Sequence, residues 1–207
     1  MKTDGIIFDL DGTLWDSVDG ILLTWNRVIT RHGQFRPPIT RQEQESLMGL
    51  PMDEIARRLF PGKSPAEQKS LMGECAREEN DYLAIHGGIL YPGIRETLEK
   101  LSTKYRLCIV SNCQCGYIEA FLQAHDLGKF FTDHLSFGET GLTKGENNRI
   151  VIGRNGFQNP VYVGDTAGDR QSALDAGIPF VYAAYGFGNV EQYDAKIVTF
   201  YGLLDLF

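Results

Sequence analysis

The sequence predicts an α/β fold: a parallel sheet covered by helices, with a small all-helical segment inserted near its start. Three observations carry this expectation. The chain opens on an apolar run, Ile6-Ile7-Phe8, that breaks at Asp9-Leu10-Asp11-Gly12-Thr13. Behind Thr13, about seventy residues follow the helical period. From Tyr91-Pro92-Gly93 onward, helical stretches alternate with short apolar segments, the pattern of a parallel sheet buried on both faces.

Taken in order, the run over 6–8 is a buried strand. Ile21, Leu22, Trp25, Val28 and Ile29 fall on one helical stripe that Gly33 is placed to end. Thr40 with Glu43, and Ser64 with Pro65 and Glu67, have the spacing of capping-box helix starts. Between them Met52, Ile55, Ala56, Leu59 and Phe60 form a short amphipathic helix that Pro61 stops. These helices make an insertion over 16–89, so the core is built from 1–15 together with 90–207. In that core Ile94, Leu98 and Leu101 mark a helix, Leu107-Cys108-Ile109-Val110 a strand ending in Ser111-Asn112, and Ile118, Phe121 and Leu122 the next helix. Val161-Tyr162-Val163 is a strand ending in Gly164-Asp165, followed by a helix to Ala176 and the strand Phe180-Val181-Tyr182. The last segment, 197–207, alternates weakly and closes the sheet edge with a short helix.

The 207 residues suffice for one core plus a smaller lobe. A net charge of -7 without a basic run leaves no electrostatic footprint for nucleic acid or anionic lipid, and points to a small diffusible ligand. No apolar stretch approaches the span of a bilayer, and Asp9 interrupts the short apolar run near the amino terminus, so a cytoplasmic protein without a signal peptide is expected. Cys75, Cys108, Cys113 and Cys115 lack the spacing of a zinc site or a disulfide framework and read as reduced, space-filling thiols. The four histidines stand singly and support neither a metal site nor a nucleophile pair.

The chemistry gathers at strand ends. Asp9 and Asp11 fall on the same side of an extended backbone, where their mutual repulsion favours a divalent cation. Gly12 lets the backbone turn closely, and its amides can meet an anion. In an open parallel sheet, ligands bind outside the carboxyl ends of the strands. Three such ends carry polar residues: Asp9 and Asp11, then Ser111 and Asn112, then Asp165 with Asp169. Lys144 opens the helix before the third of these strands and can reach the same cleft.

With these sites in this order, the chain resembles the haloacid dehalogenase-like hydrolase superfamily, in its phosphatase branch with an inserted helical cap, over essentially its whole length. Asp9-Leu10-Asp11-Gly12-Thr13 matches the first motif of that family, Ser111 the second, Lys144 the third and Gly164-Asp165-Thr166-Ala167-Gly168-Asp169 the fourth. Tyr91-Pro92-Gly93-Ile94 resembles the phosphoglycolate phosphatase and β-phosphoglucomutase subfamily. The sequence departs from the family in following Lys144 with Gly145-Glu146-Asn147 in place of a run containing proline.

The resemblance implies a Rossmann-like three-layer core and a Mg2+-dependent phosphohydrolase acting on a small phosphorylated metabolite. It implies Asp9 as nucleophile, forming an aspartyl-phosphate, and Asp11 as the acid and base. Gly12 and Thr13 shape the turn at the phosphate, and Ser111 and Lys144 hold its oxygens. Asn112 either adds a contact there or caps the following helix. Asp9, the Asp11 carbonyl and Asp165 would ligate the metal, with Asp169 acting directly, through water, or only as a residue favoured early in its helix.

Dehalogenases of the superfamily need no metal and lack the second aspartate, so Asp11, Asp165 and Asp169 argue against that reaction. A phosphomutase shares the four motifs and differs in a cap that grips a second phosphate; Arg57, Arg58 and Lys63 are the cap cations to consider, although adjacent arginines usually include a solvated face. A pyrophosphatase, or a binding module without turnover, are further readings, and the completeness of the acid, metal and lysine set opposes the last. Closure is expected through hinges over 15–17 and 87–91, with Met48-Gly49-Leu50-Pro51 either facing the substrate or only breaking two helices. Phosphoglycolate, a sugar phosphate, a nucleoside monophosphate and pyrophosphate all remain open as substrates, and a self-sufficient core and cap fit a monomer.

Overall fold

In a computed structural model, which describes residues 3–33 and 35–207, the opening apolar run is β1 (Gly5–Phe8), buried at every residue. Behind it come β2 (Trp15–Asp16), α1 (Val18–Arg31), α2 (Arg41–Glu45), α3 (Met52–Leu59), α4 (Pro65–His86) and β3 (Ile89–Leu90). The chain continues through α5 (Ile94–Ser102), β4 (Arg106–Ser111), α6 (Tyr117–His125), β5 (Phe131–Ser136), α7 (Phe137–Thr140) and α8 (Lys144–Asn155). It finishes with β6 (Pro160–Gly164), α9 (Ala167–Ala176), β7 (Phe180–Ala183), β8 (Ala195–Ile197) and a 3-10 turn over Phe200–Asp205.

Six strands form one sheet in the order β5-β4-β1-β6-β7-β8, and every pairing in it is parallel. Period-two alternation sends its side chains to two separate cores. Ile6, Phe8, Leu107, Ile109, Val161 and Val163 face α5, α6 and the final 3-10 turn. Ile7, Cys108, Val110 and Tyr162 face the other way, against Val151 of α8 and Ala173 of α9. Burial on both faces is why these strands read as unbroken apolar runs.

Two strands escape the apolar pattern. β5 contains Thr132, Asp133 and His134 and lies at one sheet edge, while β8 is three residues long and lies at the other. Edge strands need less continuous apolar character, and the mixed run Phe131-Thr132-Asp133-His134 of β5 carries no strand signal in the sequence. The carboxyl-terminal segment correspondingly contributes an edge strand before its short helical turn.

The helices between β2 and β3 have a core of their own, with Trp25, Val28, Leu59, Phe60 and Cys75 at its centre. The starts form as their sequences dictate. Ser64 and Glu67 complete a reciprocal capping box at α4, whereas Thr40 accepts from the Glu43 amide but the Glu43 carboxylate turns to Arg36. The helical lobe joins the sheet by two adjacent crossings, paired antiparallel as Trp15 with Leu90 and Asp16 with Ile89.

Candidate active site

Register brings the site together. Phe8 stands opposite Ile109 on one side and Val163 on the other, so β1, β4 and β6 end at one edge of the sheet. Asp9, Ser111 and Asp165 follow or close those strands, and all three are buried. Asp9, Asp165 and Asp169 each place a carboxylate oxygen within 4.8 Å of the other two.

Lys144 is the cation set against this cluster. Its Nζ donates to Asp9 Oδ1 at 2.9 Å and to Asp169 Oδ1 at 2.7 Å, with only 5% of the residue exposed. It stands first in α8, whose start is fixed by a capping box between Thr143 and Glu146. The run Gly145-Glu146-Asn147, which departs from the family pattern, therefore supplies the helix start through Glu146. Burial acts to lower the Lys144 pKa, and the charges of Asp169 and Asp9 outweigh it, so the amine is held protonated above its usual range.

Asp169 serves two structures at once. Its Oδ2 accepts from the Thr166 amide at 2.9 Å and the Thr166 hydroxyl at 2.7 Å, closing the capping box of α9, while Oδ1 takes Lys144. Asp165 accepts from Thr13 Oγ1 at 3.2 Å and from the Phe187 amide at 2.8 Å. Thr13, expected at the phosphate, thus has its hydroxyl on Asp165, and the Gly12 amide donates to the Trp15 carbonyl at 2.9 Å. Gly12 has φ +77°, and a Cβ there would lie 2.2 Å from Asp165 Oδ2. Crowding raises the acids. Burial, then the Asp169 charge, push Asp9 from 3.8 to about 7 against the pull of Lys144, and burial with Asp169 and Asp9 lifts Asp165 well above its usual range.

Asp11 faces a different environment. Its Oδ1 accepts from Trp15 Nε1 at 2.9 Å, Ser17 Oγ at 2.7 Å and Tyr117 OH at 2.8 Å. Burial raises its pKa, and these three bonds oppose the rise. Among the described residues Oδ2 takes no hydrogen bond, and Asp11 lines the small chamber enclosed between the sheet edge and the helical lobe. That chamber, about 40 Å³, is also lined by Asp9, Ser111 and Asn112 from the sheet side and by Met48, Gly49 and Leu50 from the lobe. Asn112 donates its amide to the Gly49 carbonyl at 2.8 Å, bridging the two sides, and α6 takes Gly116 as its cap instead.

Sequence reading missed Trp15, Ser17 and Tyr117 as partners of Asp11, and the loop after β7. A Cβ on Gly186 would lie 2.3 Å from the Gly12 carbonyl oxygen, so only glycine lets this loop deliver the Phe187 amide to Asp165. The glycine pair Gly186 and Gly188, just behind a strand end, was the available signal.

A doubly covered parallel sheet thus carries buried aspartates and a lysine at its carboxyl edge, under a helical lobe. Residues 6–183 match the family model described as haloacid dehalogenase-like hydrolase, and the chain belongs to that family. It is 31% identical to a phosphoglycolate phosphatase of Synechococcus elongatus, covering 89% of this chain and 85% of that one. A phosphoglycolate phosphatase of Escherichia coli is 26% identical, over 92% and 84% of the two chains. In fold, a haloacid dehalogenase-like family protein from Streptococcus pneumoniae superposes with a TM-score of 0.85 at 21% identity, covering 98% of this chain and 97% of that one.

Proposed function

We propose that this phosphatase hydrolyses a small phosphate monoester through an aspartyl-phosphate formed on Asp9, with Mg2+ bound beside it. The observation that carries the reading is the division of labour between two acids two residues apart. Asp9 lies against a lysine and two further carboxylates, whereas Asp11 lines the chamber with three neutral donors on one oxygen and, among the described residues, no hydrogen bond on the other. The first arrangement suits a nucleophile and the second a proton carrier.

The residues fit a hard divalent ion. Three buried carboxylates with one lysine against two of them leave excess negative charge made of oxygen donors alone. Asp9, Asp165 and Asp169, with the Asp11 main-chain carbonyl, would hold Mg2+, which when bound supplies charge stabilisation to the phosphoryl group. An Asp9 oxygen attacks phosphorus as the ester oxygen leaves, and Asp11 gives that oxygen its proton. Water then attacks the same phosphorus, Asp11 takes its proton back, and the acyl-phosphate bond to Asp9 breaks to release phosphate. Lys144 and Ser111 hold the phosphoryl oxygens through both steps.

In this reading residues 16–89 are a cap over a core of 1–15 and 90–207. Contacts that support it cross from lobe to sheet: Asn112 to Gly49, Asn80 Nδ2 to the Cys115 carbonyl at 2.9 Å, and Gln114 Nε2 to Asn80 Oδ1 at 2.9 Å. The mutase alternative gains no support from the cap cations. Arg57 pairs with Asp53 and Glu54, Arg58 with Glu54 and Lys63 with Glu67, and none of the three lines the chamber. Four free cysteines support a reducing compartment, and among the described residues no helix is long and apolar enough to cross a membrane.

Phosphate release from a panel of small esters and pyrophosphate, with Mg2+ or with a chelator, tests the reading. Release that a chelator removes and added Mg2+ restores is expected; equal release in chelator would overturn the metal assignment. In Asp11→Asn, release of the alcohol in the first turnover is expected to slow by about 10²- to 10⁴-fold for an alkyl ester but far less for p-nitrophenyl phosphate, because that leaving group departs without a proton, while hydrolysis of the aspartyl-phosphate slows alike for both. Equal first-turnover losses on both esters would count against Asp11 as the acid.

A further inference from the structure

The chamber above Asp9 has an unusual wall on the lobe side. Its side chains there are mostly carbon, from Ile21, Leu47, Leu50 and Ile55, and among its described lining residues there is no lysine, arginine or histidine. Two polar groups interrupt this wall. Glu79 of α4 is 2% exposed and accepts from Trp25 Nε1 at 2.6 Å, and Gln44 of α2 is 1% exposed with its Oε1 taking no hydrogen bond. Glu79 has no cation within ion-pair distance among the described residues, although buried carboxylates are ordinarily paired. Burial pushes it up to about 8, with the Trp25 and Gln114 hydrogen bonds opposing and the Asp11 charge adding to the rise. The lobe thus presents two hydrogen-bond acceptors, one of them an acid without a counter-ion that is held by the N–H edge of the Trp25 indole.

A ligand that brings a cation completes this wall. We propose that the chamber selects the phosphate ester of a short primary amino alcohol, its ammonium held between the Glu79 carboxylate and Gln44 Oε1 against Trp25. An ammonium there donates to both acceptors and restores the charge of Glu79. The small size of the chamber favours a short leaving alcohol. An ester whose far end is a carboxylate, as in phosphoglycolate, meets the opposite: a second acid and an acceptor with no cation to receive it. The inference rests on the phosphatase reading and names the substrate class that its cap admits.

The test compares kcat/KM for phosphoethanolamine, n-propyl phosphate and phosphoglycolate, three esters of similar size that end in a cation, a methyl group and an anion. Phosphoethanolamine is expected to exceed the other two by about tenfold or more, the scale of one charge-assisted hydrogen bond. In Glu79→Gln that preference is expected to collapse, chiefly through KM. Equal or better use of n-propyl phosphate or phosphoglycolate by the unaltered enzyme would overturn the proposal, as would an undiminished preference in a folded Glu79→Gln. If p-nitrophenyl phosphate and every other ester resist hydrolysis, the phosphatase reading fails separately. Calorimetric binding to Asp9→Asn still decides this inference: tighter binding of phosphoethanolamine than of phosphoglycolate upholds it, and the reverse or equal binding overturns it.

Discussion

Asp9→Asn is expected to lower phosphate release by at least about 10⁴-fold while the chain stays folded, because the nucleophile is lost and its shape is kept. The stability side of this variant has a definite sign. The folded-state pKa of Asp9 is raised from 3.8 to about 7. Its contribution is therefore fully present at acid pH and is lost as pH rises through about 7, where the crowded carboxylate must ionise beside Asp165 and Asp169. Asparagine removes that loss. In chelator, thermal unfolding near pH 8 should find Asp9→Asn at least as stable as the unaltered protein, with the advantage shrinking toward about pH 5. Saturating Mg2+ should invert the order, since an ion at 100 times its Kd adds about 2.7 kcal/mol to the form that binds it. Residual turnover near the original rate would remove Asp9 as the nucleophile, and a destabilised variant in chelator would contradict the crowding argument.

Lys144→Met is expected to be costly in both respects. Methionine replaces much of the aliphatic stem but leaves Asp9 and Asp169 without the amine that both accept from. Breaking one partner out of a buried ion pair typically costs about 3–5 kcal/mol. The folded-state pKa of Lys144 is raised, so its contribution is complete throughout the neutral range and would fade only in strong alkali. Without it the acids ionise still less readily. The deficit should consequently be largest near pH 8 and smaller near about pH 5, where Asp9 holds its proton more easily. Thermal unfolding of the two proteins across that range checks the slope, and phosphate release checks the loss of transition-state contacts. A melting temperature equal to that of the unaltered protein at every pH would show that the ion pairs carry no net stability.

The parts of this molecule that could be read from sequence are those in which chemistry and local pattern coincide. Asp9 and Asp165 sit at the ends of apolar runs and Asp169 in the first turn of a helix, and alternation puts Asp9 and Asp11 on one side of the backbone. The partners of Asp11 were out of reach for a geometric reason: Tyr117 lies 106 residues away in sequence and enters from the start of α6. Glu79 and Gln44 were hidden differently. They stand in the polar runs Glu78-Glu79-Asn80-Asp81 and Arg41-Gln42-Glu43-Gln44-Glu45, where only the packing of the lobe shows which member of each run turns inward. The adjacent Arg57 and Arg58 do lie on a solvated face, both exposed and paired on their own helix. Thr13 and Asn112 show the complementary limit: their motif positions place them at the site, but their hydrogen bonds go to Asp165 and Gly49.

The double attachment of Asp169 bears on how such a site can decay. One carboxylate both starts α9 and anchors Lys144, so any drift at this position frays a helix and removes one of the two carboxylates that hold a buried amine in the same stroke. Asp9 and Asp11 are under no such obligation to the backbone of a helix. A lineage that ceased to need turnover would shed those two first, and could carry the lysine and the helix-starting acid long afterward as ordinary requirements of folding.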